Sequence, residues 1–162
     1  MTKYWLKRRL LLVAIMTLGI QIHLFAAQED SPNAEMNNLI NAGQFQQAFD
    51  LGTANRDDWE GDPEFDFLYG LAALESAAPN DAVFALERVA ATAPDGVLRE
   101  RARLELARAY FVTNNLTAAE NLFNLVLDTN PPQNVQQNIE AFLLLIESRR
   151  ETQSANINWT IS

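Results

Sequence analysis

Apolar residues recur at helical spacing in segments that polar breaks and prolines separate. In "LARAYFVTNNLTAAENLFNLVLDTNPP", residues 106–132, two apolar runs are joined by a short polar break and stopped by a double proline. The stretch "LYGLAALESAAPNDAVFALERVAATAP", residues 68–94, has the same layout. Apolar positions with this period predict amphipathic helices. The short breaks predict that these helices form antiparallel pairs.

The two stretches are copies of one repeat. Their matched residues lie 37 positions apart: Ala82 with Ala119, Leu86 with Phe123, Val89 with Val126, and Pro94 with Pro131. An earlier copy, residues 38–51, aligns Gly43 with Ala77 at an offset of 34, and its second half is degraded. The longer offset is explained by a three-residue insertion at Val97 to Arg99. The chain therefore contains three helical hairpins in succession.

Small residues occupy the positions where the two helices of a copy would cross. They are Gly70 and Ala107 in the first helices, and Ala48, Ala82 and Ala119 in the second. With these residues and with the prolines that end its copies, the chain resembles the tetratricopeptide repeat family, a helix-turn-helix unit of 34 residues. The resemblance implies an all-α solenoid of about three such repeats. At the family's early aromatic position, the chain has Asp66 and Arg103 instead.

Local signals mark the ends of several helices. Asp62 followed by Pro63 is typical of a helix start, with a capping carboxylate before a proline at the first position. The sequence "TAAE", Thr117 to Glu120, predicts a capping box that opens the second helix of the third copy. Pro94 and Pro131 predict the ends of two second helices, because proline interrupts the backbone hydrogen bonds.

A further helix is predicted in "QNVQQNIEAFLLLIESRR", and it would close the stack. One face of this helix is apolar, with Val135, Ile139, Phe142, Leu143 and Ile146. Leu144 and Leu145 lie off that face. They are either ordinary exposed leucines or a second interaction surface for a partner.

The last residues change to a period of two. Ile157, Trp159 and Ile161 alternate with polar residues, which predicts a short extended tail that could begin a β-strand. The chain then divides into residues 1–27, a helical repeat domain over 28–150, and a tail over 151–162.

The first 27 residues have the layout of a secretory signal. Four basic residues come first: Lys3, Lys7, Arg8 and Arg9. An apolar run follows from Leu10 to Ala27, although the position three residues before the cleavage site is not small. Cleavage predicts an exported, periplasmic protein, whereas retention of the segment would anchor the chain in the inner membrane. Contact with a membrane is predicted only through this segment.

Charge and composition exclude several classes of function. The chain has 12 basic and 21 acidic residues, and its net charge falls from −9 to −13 without residues 1–27. An acidic surface repels phosphate, which argues against a nucleic-acid partner. There is no cysteine, and His23 lies in the signal, so the usual nucleophile and general base are missing from the rest. We therefore predict no enzyme, cofactor or metal site.

An acidic cluster keeps one alternative of another class open. It consists of Asp57, Asp58, Glu60, Asp62, Glu64 and Asp66. A carboxylate-based hydrolase or a calcium-binding protein would use such residues. Acidic residues are also favoured at a helix start, where the helix dipole stabilises them.

Longer stretches resemble a narrower group. "LYGLAALESAAPNDAVFALERV", "RARLELARAYF" and "NPPQNVQQNIEAFLLLIESRR", followed by a strand with tryptophan, are similar to the periplasmic part of bacterial outer-membrane proteins that end in a β-barrel, such as surface lipoprotein assembly modifiers. The barrel itself is missing from the sequence. This resemblance implies an interaction scaffold, accessory to an outer-membrane assembly or export system, with an outer-membrane β-barrel as one partner. The alternative is a free-standing periplasmic or membrane-anchored adaptor.

The family resemblance also implies a peptide groove lined by the first helices. The positions carried over are Phe67, Leu71 and Leu74 in the second copy, and Arg101, Leu104, Arg108 and Phe111 in the third. Arg101 and Arg108 share one helical face, which could bind a carboxylate or an acidic partner. Alternatively, these arginines and Glu105 form ordinary helical ion pairs on a solvated face.

Overall fold

The computed structural model describes residues 31–160, in which seven helices and no strand occur. The helices are α1 (Pro32–Asn41), α2 (Phe45–Trp59), α3 (Pro63–Glu75), α4 (Pro79–Thr92), α5 (Val97–Val112), α6 (Leu116–Leu127) and α7 (Gln133–Thr160). The predicted signal or anchor, residues 1–27, lies outside the described residues. Within residues 31–160, no helix combines the length and the apolar character that crossing a membrane requires.

The helices stack in chain order. Each helix packs against the next one, and the first helices α1, α3 and α5 also contact one another in sequence. The pairs α1/α2, α3/α4 and α5/α6 are the three predicted hairpins, and α7 packs on α6 as the predicted closing helix. The prediction of an all-α repeat solenoid is confirmed.

One turn joins the helices of every hairpin. Its left-handed residue is Gly43 (φ 72°), Ala77 (φ 59°) or Asn114 (φ 62°). In each case the next backbone N–H donates to a carbonyl five residues before it, with N to O distances of 2.8 to 2.9 Å. The first copy therefore has the same turn as the other two, although its sequence is degraded.

The helix starts follow the capping residues, with one correction. The Asp62 carboxylate accepts from the Phe65 N–H at 2.8 Å and Pro63 begins α3, as predicted. The predicted capping box at Thr117 is wrong, because Asn115 caps α6 and its side chain accepts from the Ala118 N–H at 3.4 Å. The turn ends at Asn115, so Thr117 is already helical.

The insertion at Val97 to Arg99 lengthens a helix and leaves the loop short. Helix α5 begins at Val97 and has 16 residues, whereas α3 has 13. Three residues add almost one helical turn to the start of α5.

The predicted crossings are confirmed. Ala48, Ala82, Ala107 and Ala119 have no exposed surface. A Cβ atom added to Gly70 would lie 2.6 Å from Cγ of Leu86 on α4, which is closer than atoms can approach. Gly70 is therefore required by the close contact of α3 with α4.

Two apolar clusters form the core. The first cluster contains residues of the four helices α1, α2, α3 and α4, and it extends to α5 through Ala102, Leu106 and Ala109. The second joins α5, α6 and α7. In the second cluster, the rings of Phe123 and Phe142 stack with their centres 5.1 Å apart.

A buried ion pair joins α3 to α4, and the sequence did not predict it. Asp66 is 1% exposed. The Arg88 guanidinium donates to both carboxylate oxygens of Asp66, at 2.9 Å and 2.8 Å, and the Gly61 N–H donates to the same carboxylate at 3.1 Å. The hydrogen bonds to Asp66 raise the pKa of Arg88. Asp66 is thus a core residue and not a member of an open acidic cluster.

The predicted extended tail is wrong for residues 151–160. Helix α7 continues through them to Thr160, 28 residues in all. A helix pairs its own backbone N–H and C=O groups, whereas a single strand needs a neighbouring strand. No other strand occurs in residues 31–160 to supply one. Residues 161 and 162 lie outside the described range.

Candidate functional site

The first helices form a surface with two adjoining hollows. The smaller hollow has a volume of about 270 Å³ and lies among α1, α3 and α5. It is lined by three of the predicted groove residues, Phe67, Leu71 and Arg101, together with residues of α1 such as Ile40. The structure therefore brings residues of two predicted copies together at one site.

The larger hollow has a volume of about 510 Å³ and lies where α5 meets the α6–α7 connection. The predicted residues Arg101 and Leu104 line it. Its other lining residues are Val97, Glu100, Val126, Thr129, Asn130, Pro131, Pro132 and Val135. Val97 belongs to the additional turn of α5 and is 77% exposed, so the insertion supplies part of this wall.

Arg101 separates the two hollows. The central carbon of its guanidinium group lies 4.7 Å from the centre of the Phe67 ring, in a cation–π contact. Arg101 lines both hollows and is in no ion pair with another residue of the described range. Its N–H groups can donate to a carbonyl or carboxylate that a ligand brings into either hollow.

Ion pairs within the protein balance the charge of Arg108, the second predicted arginine. Arg108 forms an ion pair with Glu75 of α3 at 2.7 Å and another with Glu105. Burial acts to lower the pKa of Arg108, but the charges of Glu105 and Glu75 outweigh burial and raise it. The pair with Glu105 is the helical ion pair that the spacing allowed. Of the two alternatives for this face, Arg108 therefore follows the ion-pair one, and of the two arginines Arg101 is the one whose guanidinium group is in no ion pair with another residue of the described range.

Leu74 and Phe111, two further predicted groove residues, line neither hollow. Leu74 packs half-buried against the first cluster. Phe111 is 7% exposed, because the Phe142 ring lies 5.4 Å from it and the Arg149 guanidinium covers its face at 3.8 Å. The sequence missed this cover because α7 reaches back to α5, a contact that its own period does not reveal.

The acidic cluster does not converge on one point. Glu60 pairs with Arg56 and Arg88, Asp62 caps α3, and Asp66 lies in the core. Among residues 31–160, no three histidine, cysteine or acidic side chains are grouped so that they could hold a metal ion. Glu60, Asp62 and Asp66 thus have separate local roles.

Arginines of residues 31–160 are largely engaged within the protein. Six of them form ion pairs: Arg56, Arg88, Arg99, Arg103, Arg108 and Arg150. The guanidinium groups of Arg101 and Arg149 lie over the rings of Phe67 and Phe111. Of the 19 acidic residues in this range, eight are in ion pairs, so carboxylates dominate the charge offered to solvent. The surface of residues 31–160 is therefore predominantly acidic.

Comparison with known proteins agrees with the architecture. Residues 73–141 match the model of the tetratricopeptide repeat family, a range that runs from the last turn of α3 into α7. The match supports a tetratricopeptide repeat protein, and such repeats generally mediate protein–protein interaction as non-catalytic scaffolds. No curated protein and no solved structure matches the chain significantly.

Proposed function

We propose that this protein is a non-catalytic scaffold that binds a protein or peptide partner in the groove along α1, α3 and α5. The observation that carries the proposal is the pair of adjoining hollows with Arg101 between them. Tight packing behind the groove, with Gly70 against Leu86, holds the first helices in place. Such a preformed surface binds with little loss of conformational entropy.

The ligand in this proposal is an extended segment with two apolar side chains. One side chain enters the hollow at Leu71 and the other enters the hollow at Leu104. Arg101 donates to a backbone carbonyl of the segment between them. The hollow at Leu104 is lined mainly by apolar groups, whereas the hollow at Leu71 also has polar lining from Asn37 and Glu64. Apolar side chains with a few polar groups among them are typical of ligand sites.

The cellular part of the proposal is that the scaffold works in the bacterial envelope. It is an accessory domain of an outer-membrane assembly or export system, with an outer-membrane β-barrel as one partner. Support comes from the signal-like residues 1–27 and from the narrower resemblance of the repeat region. Sequencing the N-terminus of the mature protein distinguishes a cleaved periplasmic protein from one that is anchored in the inner membrane.

Site-specific photo-crosslinking in cells tests the groove. A photoreactive amino acid is placed at Leu71 or at Leu104, and the matched control is Phe84 on α4, which is 60% exposed. We expect one protein to crosslink from both groove positions and not from Phe84. Equal crosslinking from all three positions would contradict the proposal.

The crosslinked segment of that protein is then synthesised and titrated by calorimetry. Arg101→Ala should weaken its binding about tenfold, since hydrogen bonds to charged groups contribute about 1.5–3 kcal/mol. Arg150→Ala, which removes an arginine far along the chain, is the control for charge. Equal affinities for both variants would show that Arg101 does not contact the ligand.

A further inference from the structure

The repeat continues into α7. In α3 and α5, Tyr69 and Leu106 are 37 residues apart. Tyr69 stacks on Phe49 of the preceding second helix, and Leu106 lies in the core cluster that includes residues of α4. The same offset relates three whole sets of packed residues: Phe65, Tyr69 and Ala72; Ala102, Leu106 and Ala109; Ile139, Leu143 and Ile146. Helix α7 thus stands in the stack as the first helix of a fourth copy.

At the crossing position, α7 differs from the other first helices. Gly70 is in contact with α4, and Ala107 is fully buried in the cluster that includes α6. The next residue at this offset is Leu144, which is 73% exposed. The face on which α3 receives its second helix is therefore open to solvent in α7.

The open face exists because α7 does not turn back. Helices α3 and α5 end at Glu75 and Val112, and the corresponding residue, Arg149, lies inside α7. The left-handed turn residues Ala77 and Asn114 correspond to Glu151, which is helical. No second helix follows within residues 31–160, so none of the described helices covers Leu144.

The charges beside Leu144 indicate what could cover it. Glu140 corresponds to Asp66, whose carboxylate pairs with Arg88 of the docked helix α4. Glu140 and Glu147 lie one turn on either side of Leu144 and are in no ion pair with other residues of the described range. A helix that docks here as α4 docks on α3 would meet Glu140 at the place where α3 offers Asp66.

We propose that this face of α7, namely Glu140, Ala141, Leu144, Leu145 and Glu147, binds a basic amphipathic helix of a partner protein. The partner helix presents a small residue to Leu144, because two large side chains would hold the helices apart at the crossing. Its arginine or lysine residues pair with Glu140 and Glu147. This site is separate from the groove along α1, α3 and α5, and its occupation does not depend on a ligand there.

A second copy of the chain fits this face poorly. Pairing two α7 helices through Leu144 would bring Glu140 and Glu147 of both copies into one interface. Like charges in an interface oppose association. The partner helix must therefore differ from α7 in charge.

The probe for this site is a labelled, helix-stapled peptide of 14 residues, the length of α4, with an alanine and leucine face flanked by arginines. Its binding to the full chain is followed by fluorescence anisotropy. We expect binding that weakens with salt and that falls about tenfold in Leu144→Glu, as for a central apolar contact. The substitution adds a negative charge, so non-specific attraction of the basic peptide would instead grow stronger.

Two controls and a charge swap complete the test. Phe84→Glu and Arg101→Ala should bind the probe as the wild type does. Glu140→Arg should lose affinity for the basic peptide and gain it for a peptide with glutamates in place of the arginines. Circular dichroism confirms that each variant is folded.

Three results would overturn the proposal. One is unchanged or tighter binding of the probe by Leu144→Glu. Another is loss of binding in Arg101→Ala alone, which would place the peptide in the groove. The third is a dimer in sedimentation velocity that Leu144→Glu dissociates, which would make a second copy the occupant.

Discussion

Helices α3 and α7 hold equivalent places in the stack but differ in burial. Eight of the 13 residues of α3 are buried. This helix packs between α2 and α4, the second helices of two hairpins, and it also contacts the first helices α1 and α5. Helix α7 packs on α6 along one face, and up to residue 155 only Ile139 and Ile146 are fully buried in it. The comparison shows that the apolar period of a helix fixes the face toward its predecessor, whereas the presence of a following helix decides whether the other face is core or surface.

The largest effect is expected from a charge on the packed face of α7. Ile146 is 1% exposed, and Ile146→Asp would bury a carboxylate among apolar side chains. We expect a loss of at least about 4 kcal/mol in the free energy of unfolding, enough to unfold a small repeat domain. Urea denaturation followed by circular dichroism measures it. A variant that keeps its full helicity and melting temperature would show that α7 is dispensable.

The next largest loss of stability is expected at the buried ion pair of α3, whereas the Arg150–Glu120 pair of α7 is exposed. Arg88→Leu leaves the Asp66 carboxylate buried with only the Gly61 N–H to stabilise it. We expect a loss of about 3 kcal/mol in the free energy of unfolding. Its matched control is Arg150→Leu, which breaks an exposed pair with Glu120 and should cost less than about 1 kcal/mol.

Urea titrations of these two variants and of the wild type provide the comparison. Equal losses of unfolding free energy in both variants would mean that the burial of Asp66 adds nothing to the cost of removing its arginine. Asp66→Leu combined with Arg88→Leu should recover part of the loss, because it removes the unpaired charge as well.

A smaller effect is expected at the crossing. Gly70→Ala places a methyl group against Cγ of Leu86, and overpacking of this kind costs about 1–3 kcal/mol. Alanine is the better helix former by about 1 kcal/mol, so the net loss should be about 1 kcal/mol. The double variant with Leu86→Ala tests the cause, since the cost of Gly70→Ala should disappear when Leu86 is already shortened. Equal costs in both backgrounds would exclude the contact as the reason.

Sequence reasoning was reliable where short-range spacing decides the outcome. Small residues at 70, 82, 107 and 119 indicate a close crossing: a Cβ atom at Gly70 would collide with Leu86, and the three alanines have no exposed surface. Repeated spacing also positioned the three hairpins and the apolar face of α7. Phe67, Leu71 and Arg101, which the sequence grouped, line one hollow because the first helices lie side by side, and the binding of a ligand there stays a prediction.

It failed where a contact depends on residues far apart in the chain. The sequence places Asp66 in a surface acidic cluster, because its partner Arg88 lies 22 residues later in the chain. The sequence places Phe111 in the groove, but Phe142 and Arg149 of α7 cover its ring in the structure. The alternation at Ile157 and Trp159 predicts a strand, but a strand forms only with a neighbour, and α7 continues there instead. Each error comes from a partner that local spacing cannot reveal.

The smallest change in stability is expected at Leu144, two residues before Ile146, where the largest is expected. Leu144→Asp changes a side chain that is 73% exposed, so little apolar burial is lost, and aspartate lowers the helix propensity by only about half a kcal/mol. We expect the free energy of unfolding to change by less than about 1 kcal/mol, against about 4 kcal/mol or more for Ile146→Asp. The same urea titration measures both variants. A loss at Leu144 as large as that at Ile146 would mean that the second face of α7 is already covered in the isolated chain, and the contrast with α3 would no longer hold.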